Sequence, residues 1–103
     1  MPENLTVIAH LRAKPGREMA LRDALTALIE PTLREPGCIA YDLHVAVDDA
    51  ASFHFYEVWR GPEEHAANLE RPHLRGFLAQ ADDLLDGDIR VHLLRLLAPA
   101  QKG

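Results

Sequence analysis

Apolar residues recur along this chain with two different periods, and the order of those periods limits the folds that it can adopt. From Leu5 to Arg12 they occupy every second position, as they do along a β-strand with one buried face. From Arg17 to about Arg34 they recur at every third or fourth position, which predicts a helix. Pro31 should loosen the last turn of this helix, and Pro36-Gly37 should end it.

The period of two returns in two further segments, Cys38 to Val47 and Phe53 to Arg60. They predict a β-hairpin around a turn at Asp48 to Ser52. Five cross-strand pairs are expected on this hairpin, the first three on one face and the last two on the other. They are Leu43 with Phe55, Tyr41 with Glu57, Ile39 with Trp59, His44 with His54, and Asp42 with Tyr56.

The last part of the chain predicts a helix followed by a strand. The helix opens after Gly61, restarts at Pro72 and ends at Asp86-Gly87-Asp88, and the strand runs from Arg90 to Leu97. The order strand, helix, strand, strand, helix, strand is that of the ferredoxin-like split βαβ fold. This is an α+β fold in which the helices lie on one face of a four-stranded antiparallel sheet. A chain of 103 residues has room for one such domain.

Two helices can cover only one face of this sheet. The uncovered face is predicted to carry the apolar residues Ile8, Val58, Leu94 and Leu96, which are too many to remain in contact with water. We therefore expect a homodimer in which a second copy packs against the sheet, face to face.

Composition argues against several classes of partner. The chain has 16 acidic and 11 basic residues, and its net charge of −5 argues against binding to nucleic acid or to an anionic membrane surface. No run of apolar residues approaches the ~18 of a membrane span. Met1 to Thr6 lacks the pattern of a signal peptide, so a cytoplasmic location is expected. Cys38 is the only cysteine, so neither an internal disulfide nor a cysteine zinc cluster can form within one chain.

The sequence carries no motif for a cofactor or a metal. It has neither a glycine-rich phosphate loop nor a Gly-x-Ser-x-Gly turn. Four histidines fall on predicted strands, and they include no close helical pair of the kind that binds metals: His10, His44, His54 and His92. We expect no metal and no organic cofactor.

Four segments form a recognisable pattern: Lys14-Pro15-Gly16, Glu35 to Leu43, Phe55 to Trp59 and Pro72 to Phe77. Together they resemble the antibiotic biosynthesis monooxygenase family, which includes the small quinol monooxygenases. The resemblance extends from about Leu5 to Leu97, the core of a single domain at 1–103. It implies a ferredoxin-like homodimer, often called a dimeric α+β barrel, with a pocket in each subunit between helices and sheet. It also implies insertion of oxygen into an electron-rich aromatic compound without flavin, metal or haem.

Glu57 and Trp59 share a strand face with Phe53 and Phe55. A carboxylate among aromatic side chains predicts a pocket acid or base with a raised pKa. The alternative is a structural glutamate that pairs with an arginine or with backbone donors near Pro62. Trp59 is expected to form a wall of the pocket rather than to catalyse.

The second helical region supplies three further candidates. His73 belongs to the Pro-His pair that resembles the family's motif, and because histidine titrates near neutral pH it is predicted to remove a phenolic proton. His65 lies about two turns earlier and either lines the same cleft, where it would bind substrate, or lies outside it. Asn68 stands where many family members carry histidine. An amide cannot be a general base, but it can bind a carbonyl or a hydroxyl group.

The predicted site is one cavity between the helices and the sheet. Its expected walls are Tyr41, Phe55, Glu57, Trp59, His73 and Phe77. The predicted function is that of a cofactor-independent monooxygenase that oxidises a small phenol or hydroquinone with O2. His73 or a group assisted by Glu57 would remove the substrate proton, Tyr41 and Asn68 would bind substrate oxygens, and the resulting anion would reduce O2. Two alternatives stay open: an isomerase of a small keto compound, and a dimeric ligand-binding protein without turnover.

Overall fold

A computed structural model describes residues 3–99, which form one antiparallel sheet with helices packed on one face. The elements, in chain order, are β1 (Leu5–Arg12), α1 (Glu18–Thr26), α2 (Ile29–Leu33), β2 (Cys38–Ala46), β3 (Asp49–Trp59), α3 (Pro62–Leu69), α4 (Pro72–Leu84) and β4 (Arg90–Arg95). The strand order across the sheet is β2-β3-β1-β4. The predicted α+β, ferredoxin-like split βαβ fold is confirmed.

The first helical region contains a break that its apolar period does not reveal. The single helix predicted from Arg17 to Arg34 is wrong, because α1 and α2 are separated at Ala27 and Leu28. Pro31 explains the break. In an unbroken helix the backbone nitrogen of residue 31 would donate a hydrogen bond to the carbonyl of Ala27, but the ring nitrogen of proline carries no hydrogen. Once the helix restarts at Ile29, Pro31 falls in the first turn, where no intrahelical donor is needed.

The hairpin turn is shorter than predicted. The turn expected at Asp48 to Ser52 is wrong, because β3 already begins at Asp49. Asp49 is held there by two contacts: its Oδ1 accepts the backbone N–H of Ala51 at 3.0 Å, and its Oδ2 accepts from Arg12 at 2.7 Å. Strand pairing with β1, which extends to Ser52, therefore outweighs the turn preference of these polar residues.

The predicted hairpin register is confirmed for four of the five pairs. The pairing of Ile39 with Trp59 is wrong, because Cys38 lies opposite Trp59 and the register shifts before Ala40. Ile39 occupies this irregularity and is 50% exposed. An extra residue in one strand is a β-bulge, and alternation alone cannot locate it.

The core lies between the helices and one face of the sheet. Val7, Ala9 and Leu11 of β1 point into it, and Trp59 at the end of β3 is completely buried. None of the helices within residues 3–99 is long and apolar enough to cross a membrane.

The opposite face of the sheet carries apolar side chains, as predicted. Thr6 on β1 lies opposite both Val58 and Leu94, and the strand parity of Ile8 places it beside them. Leu96, the fourth predicted member, lies beyond the end of β4. Because no helix of the described chain covers this face, it is the surface available to a second copy.

Candidate active site

A cavity of about 200 Å³ lies between the sheet and the helices. Its wall is mostly apolar, with aliphatic side chains from β1, α1 and α4. Six of the eight residues predicted for the site belong to the wall. They are the rings of Phe55 and Phe77 and four polar side chains, Tyr41, Glu57, His65 and Asn68.

Glu57 is the acidic group of this cavity. Alternation along β3 directs it inward, opposite Tyr41 on β2 and Val7 on β1, and its exposed fraction is 6%. Desolvation raises the pKa of Glu57 to about 7, against the opposing effect of a hydrogen bond from Trp59. Within residues 3–99 it forms no salt bridge, so the alternative of a structural glutamate paired with arginine does not hold. The carboxyl group can therefore gain or lose a proton near neutral pH.

Trp59 lies behind the cavity rather than in its wall. It is fully buried, and its Nε1 donates to Oε1 of Glu57 at 2.9 Å. The expectation that Trp59 forms a wall of the pocket is therefore wrong. Its indole lies two residues beyond Glu57 on β3, where it fills the core and holds one oxygen of the Glu57 carboxyl group in place. The bond to the indole leaves the other carboxyl oxygen unoccupied by Trp59.

Tyr41 on β2 contributes its side chain to the cavity wall. Its ring stacks on Phe55 with centroids 4.4 Å apart, and Trp59 meets it edge-on at 6.5 Å. Burial, together with the nearby charge of Glu57, raises the pKa of Tyr41 well above the ordinary value. The phenol is therefore neutral at physiological pH and can donate a hydrogen bond.

His65 enters the cavity wall from α3. Its ring lies 6.0 Å from that of Trp59, centroid to centroid, and burial lowers its pKa below the ordinary value of 6.5. A neutral imidazole at neutral pH can donate from one nitrogen and accept at the other. The sequence left open whether His65 lies in the cleft or outside it, and the structure places it in the cleft.

His73 is not in the cavity wall, and the expectation that it would be is wrong. Its Nε2 donates instead to Oε2 of Glu35 at 2.9 Å. His73 is the second residue of α4, and side chains in a helix lean toward its N-terminus, which here faces the loop that carries Glu35. The direct proton transfer predicted for His73 therefore has no geometric support.

Glu35 is a functional candidate that the sequence reasoning missed. This buried carboxylate accepts from Asn68 Nδ2 at 2.8 Å, from His73 at 2.9 Å and from Arg71 Nε at 3.3 Å. It lies in the loop before β2, where no apolar period applies. The only signal in the sequence was its place at the start of the segment that resembles the family.

Three of the strand histidines form a row on the uncovered sheet face. His44, His54 and His10 are successive cross-strand neighbours, and Arg90 continues the row on β4. Ser52 Oγ lies 3.2 Å from His10 Nε2 and 3.1 Å from His54 Nε2. In the part of the chain that the structure describes, no three His, Cys, Asp or Glu side chains are grouped to hold a metal ion.

Comparison with known proteins identifies relatives along nearly the whole chain. The family model described as "Antibiotic biosynthesis monooxygenase" matches residues 4–80. "Putative monooxygenase Rv0793" of Mycobacterium tuberculosis is 33% identical over 102 residues, which are 97% of this chain and 98% of that protein. "Probable quinol monooxygenase YgiN" of Escherichia coli is 28% identical, with 92% and 97% covered. The chain spans only 63% of the length of a 26% identical Synechocystis protein, sll1783.

Solved structures share the same fold. The crystal structure of PA3566 from Pseudomonas aeruginosa superposes with a TM-score of 0.90 at 34% identity and covers 95% of this chain and 98% of that one. The structure of Rv0793 superposes with a TM-score of 0.88 at 32% identity, with 95% and 99% covered.

Proposed function

The chain belongs to the antibiotic biosynthesis monooxygenase family, and on that premise we propose that it oxidises a small phenol or hydroquinone with O2. One observation carries the proposal beyond the family: an apolar cavity holds a carboxyl group, Glu57, whose pKa is about 7. A base with a pKa near the working pH is suited to remove the proton of a phenol.

The size of the cavity limits the substrate. An engineered apolar cavity of about 150 Å³ binds benzene, so a cavity of about 200 Å³ accommodates a single substituted ring. The aromatic ring of Phe77 and the stacked pair of Tyr41 and Phe55 offer surfaces on which such a ring can pack. The relative YgiN, by its name, is assigned to quinols.

The proposed reaction begins with transfer of a substrate hydroxyl proton to Glu57. The electron-rich anion then gives one electron to O2, and the resulting radical and superoxide combine to form a carbon–oxygen bond. The peroxide anion takes the proton back from Glu57, and loss of water from the resulting hydroperoxide gives the product. One hydroquinone and one O2 thus yield one hydroxyquinone and one water, and the substrate supplies all the electrons, so no separate reductant is required.

Oxygen consumption with a panel of hydroquinones tests this proposal. The wild-type protein, dialysed against a chelator, should consume O2, and Glu57→Gln should lower kcat by a factor of about 100 or more, as expected for loss of a general base. Glu63→Gln, at an exposed position in the first turn of α3, is the matched control and should retain the wild-type rate. An active Glu57→Gln variant would contradict the role of Glu57. The absence of oxygen uptake with every hydroquinone would favour the ligand-binding alternative.

A further inference from the structure

Asn68 connects the cavity wall to the buried carboxylate of Glu35 by a hydrogen bond. It belongs to the cavity wall, whereas its amide nitrogen donates to Glu35, which does not. An ionised carboxylate only accepts hydrogen bonds, so the amide must turn its NH2 group toward Glu35. The opposite orientation would set the amide carbonyl against the carboxylate and leave buried acceptors unpaired.

The carboxylate of Glu35 is itself held in place. Arg71, the residue just before α4, donates to one of its oxygens, and His73, the second residue of α4, donates to the oxygen that Asn68 uses. Glu35 is thus tied to three donors, one of them a permanent cation. The amide of Asn68 cannot turn over without breaking this network.

From this geometry we propose that Glu35 is a positioning residue that aims the carbonyl oxygen of Asn68 at the cavity and gives the cavity a fixed acceptor at this position, which favours ligands that donate a hydrogen bond there. The sequence left open whether Asn68 binds a carbonyl or a hydroxyl group, and the network selects the hydroxyl. When it is ionised, Glu57 offers a second acceptor, because Trp59 occupies only one of its oxygens. The inference rests on the proposed function only in taking this cavity as the substrate site.

Binding in the absence of O2 tests this selectivity without turnover. Two probes of similar size are compared: hydroquinone, which donates from two hydroxyl groups, and 1,4-difluorobenzene, which has no donor. The measured quantity is the ratio of their dissociation constants. Comparing this ratio between variants cancels the difference in hydrophobicity between the two probes.

The wild-type protein should bind hydroquinone more tightly than Glu35→Gln does, with 1,4-difluorobenzene affected little. The preference for hydroquinone should fall about tenfold in Glu35→Gln, because the neutral amide side chain no longer dictates the orientation of Asn68. It should fall by a similar factor in Asn68→Leu, which removes the acceptor itself. Glu70→Gln, which removes the same charge from an exposed pair with Arg75, is the control and should keep the wild-type ratio.

Three outcomes would overturn the inference: an unchanged ratio in folded Glu35→Gln, an unchanged ratio in Asn68→Leu, or a wild-type protein that binds neither probe. If Glu35→Gln does not fold, the NMR signals of the Asn68 side-chain amide in the wild-type protein test the inference instead. Their hydrogen exchange should be slowed by the bond to Glu35, and rapid exchange would contradict it. Selective binding without oxygen uptake would leave this inference standing and reject the proposed reaction, so the two can fail separately.

Discussion

At the scale of the residue, burial of Glu57 has a consequence for stability. Its pKa is about 7 in the folded protein and near 4.5 in an exposed chain, so between these pH values the folded state holds a proton that the unfolded state has released. This group therefore favours folding at low pH and loses that contribution as the pH rises through 7. The loss is on the order of 3 kcal/mol for a shift of this size.

Glu57→Gln isolates this effect. The amide cannot ionise, so the variant does not lose stability in this way. The free energy of unfolding of the variant minus that of the wild type should therefore increase as the pH rises from about 5 to 8. Urea denaturation at several pH values and one protein concentration measures the difference. The exposed Glu63→Gln should show no such trend. A Glu57→Gln difference that stays constant with pH, or shrinks as the pH rises, would contradict the burial of an ionisable carboxyl group.

How far single residues of the site could be predicted depended on where they lie. Strand alternation is a local rule, and it placed Tyr41, Phe55 and Glu57 correctly on the inner face. His73 was misplaced, because its direction depends on where α4 begins and on a buried acceptor in a distant loop. That acceptor, Glu35, carries no periodic signal, so its burial emerges only in the fold.

At the scale of the element, the loop before β2 packs very closely on α3. A methyl group at Gly37 would overlap Cβ and Cγ of Glu64, and the Gly37 carbonyl accepts the backbone N–H of Arg60 at 2.9 Å. This close approach keeps Glu35 within reach of Asn68. Only glycine fits at position 37 without moving the loop or the helix.

Gly37→Ala should therefore lower the free energy of unfolding by about 1–3 kcal/mol, the usual cost of overpacking. Gly76→Ala is the matched control. It lies inside α4 with open space around the added methyl group, so it should stabilise the protein by about 0.5–1 kcal/mol through the higher helix propensity of alanine. Denaturant unfolding compares the two variants. Equal effects would show that the contact with Glu64 is not tight.

The elements themselves were largely predictable, and their exceptions have local causes. Period and order gave all four strands and both helical regions. The break before Pro31 and the irregularity at Ile39 were not predicted, because each inserts a non-repeating step into a periodic pattern.

At the scale of the whole molecule, we propose that a second copy covers the sheet face that the helices leave open. Leu94 on this face is 47% exposed in a single chain, so its replacement by aspartate should cost the monomer little. In the proposed dimer, however, the aspartate would bury a charge in the interface and so weaken the association. Leu33→Asp is the control, since Leu33 lies on α2 and is 52% exposed.

Sedimentation equilibrium at micromolar concentration should give the wild type and Leu33→Asp twice the mass of the 11.5 kDa chain. Leu94→Asp should sediment as a monomer or as a weakened dimer. A monomeric wild type, or a Leu94→Asp variant that dimerises as strongly as the wild type, would reject this interface.

Labelling with ¹⁸O₂ is the most direct test of the chemistry proposed for the cavity. A hydroquinone that the protein oxidises should yield a hydroxyquinone with one labelled oxygen atom in the product, and mass spectrometry of the product, reduced at once to retain the label, would detect it. The Glu57→Gln variant should form the labelled product at least about 100-fold more slowly. An unlabelled quinone accompanied by hydrogen peroxide would instead show simple oxidation without oxygen insertion, and would contradict a monooxygenase.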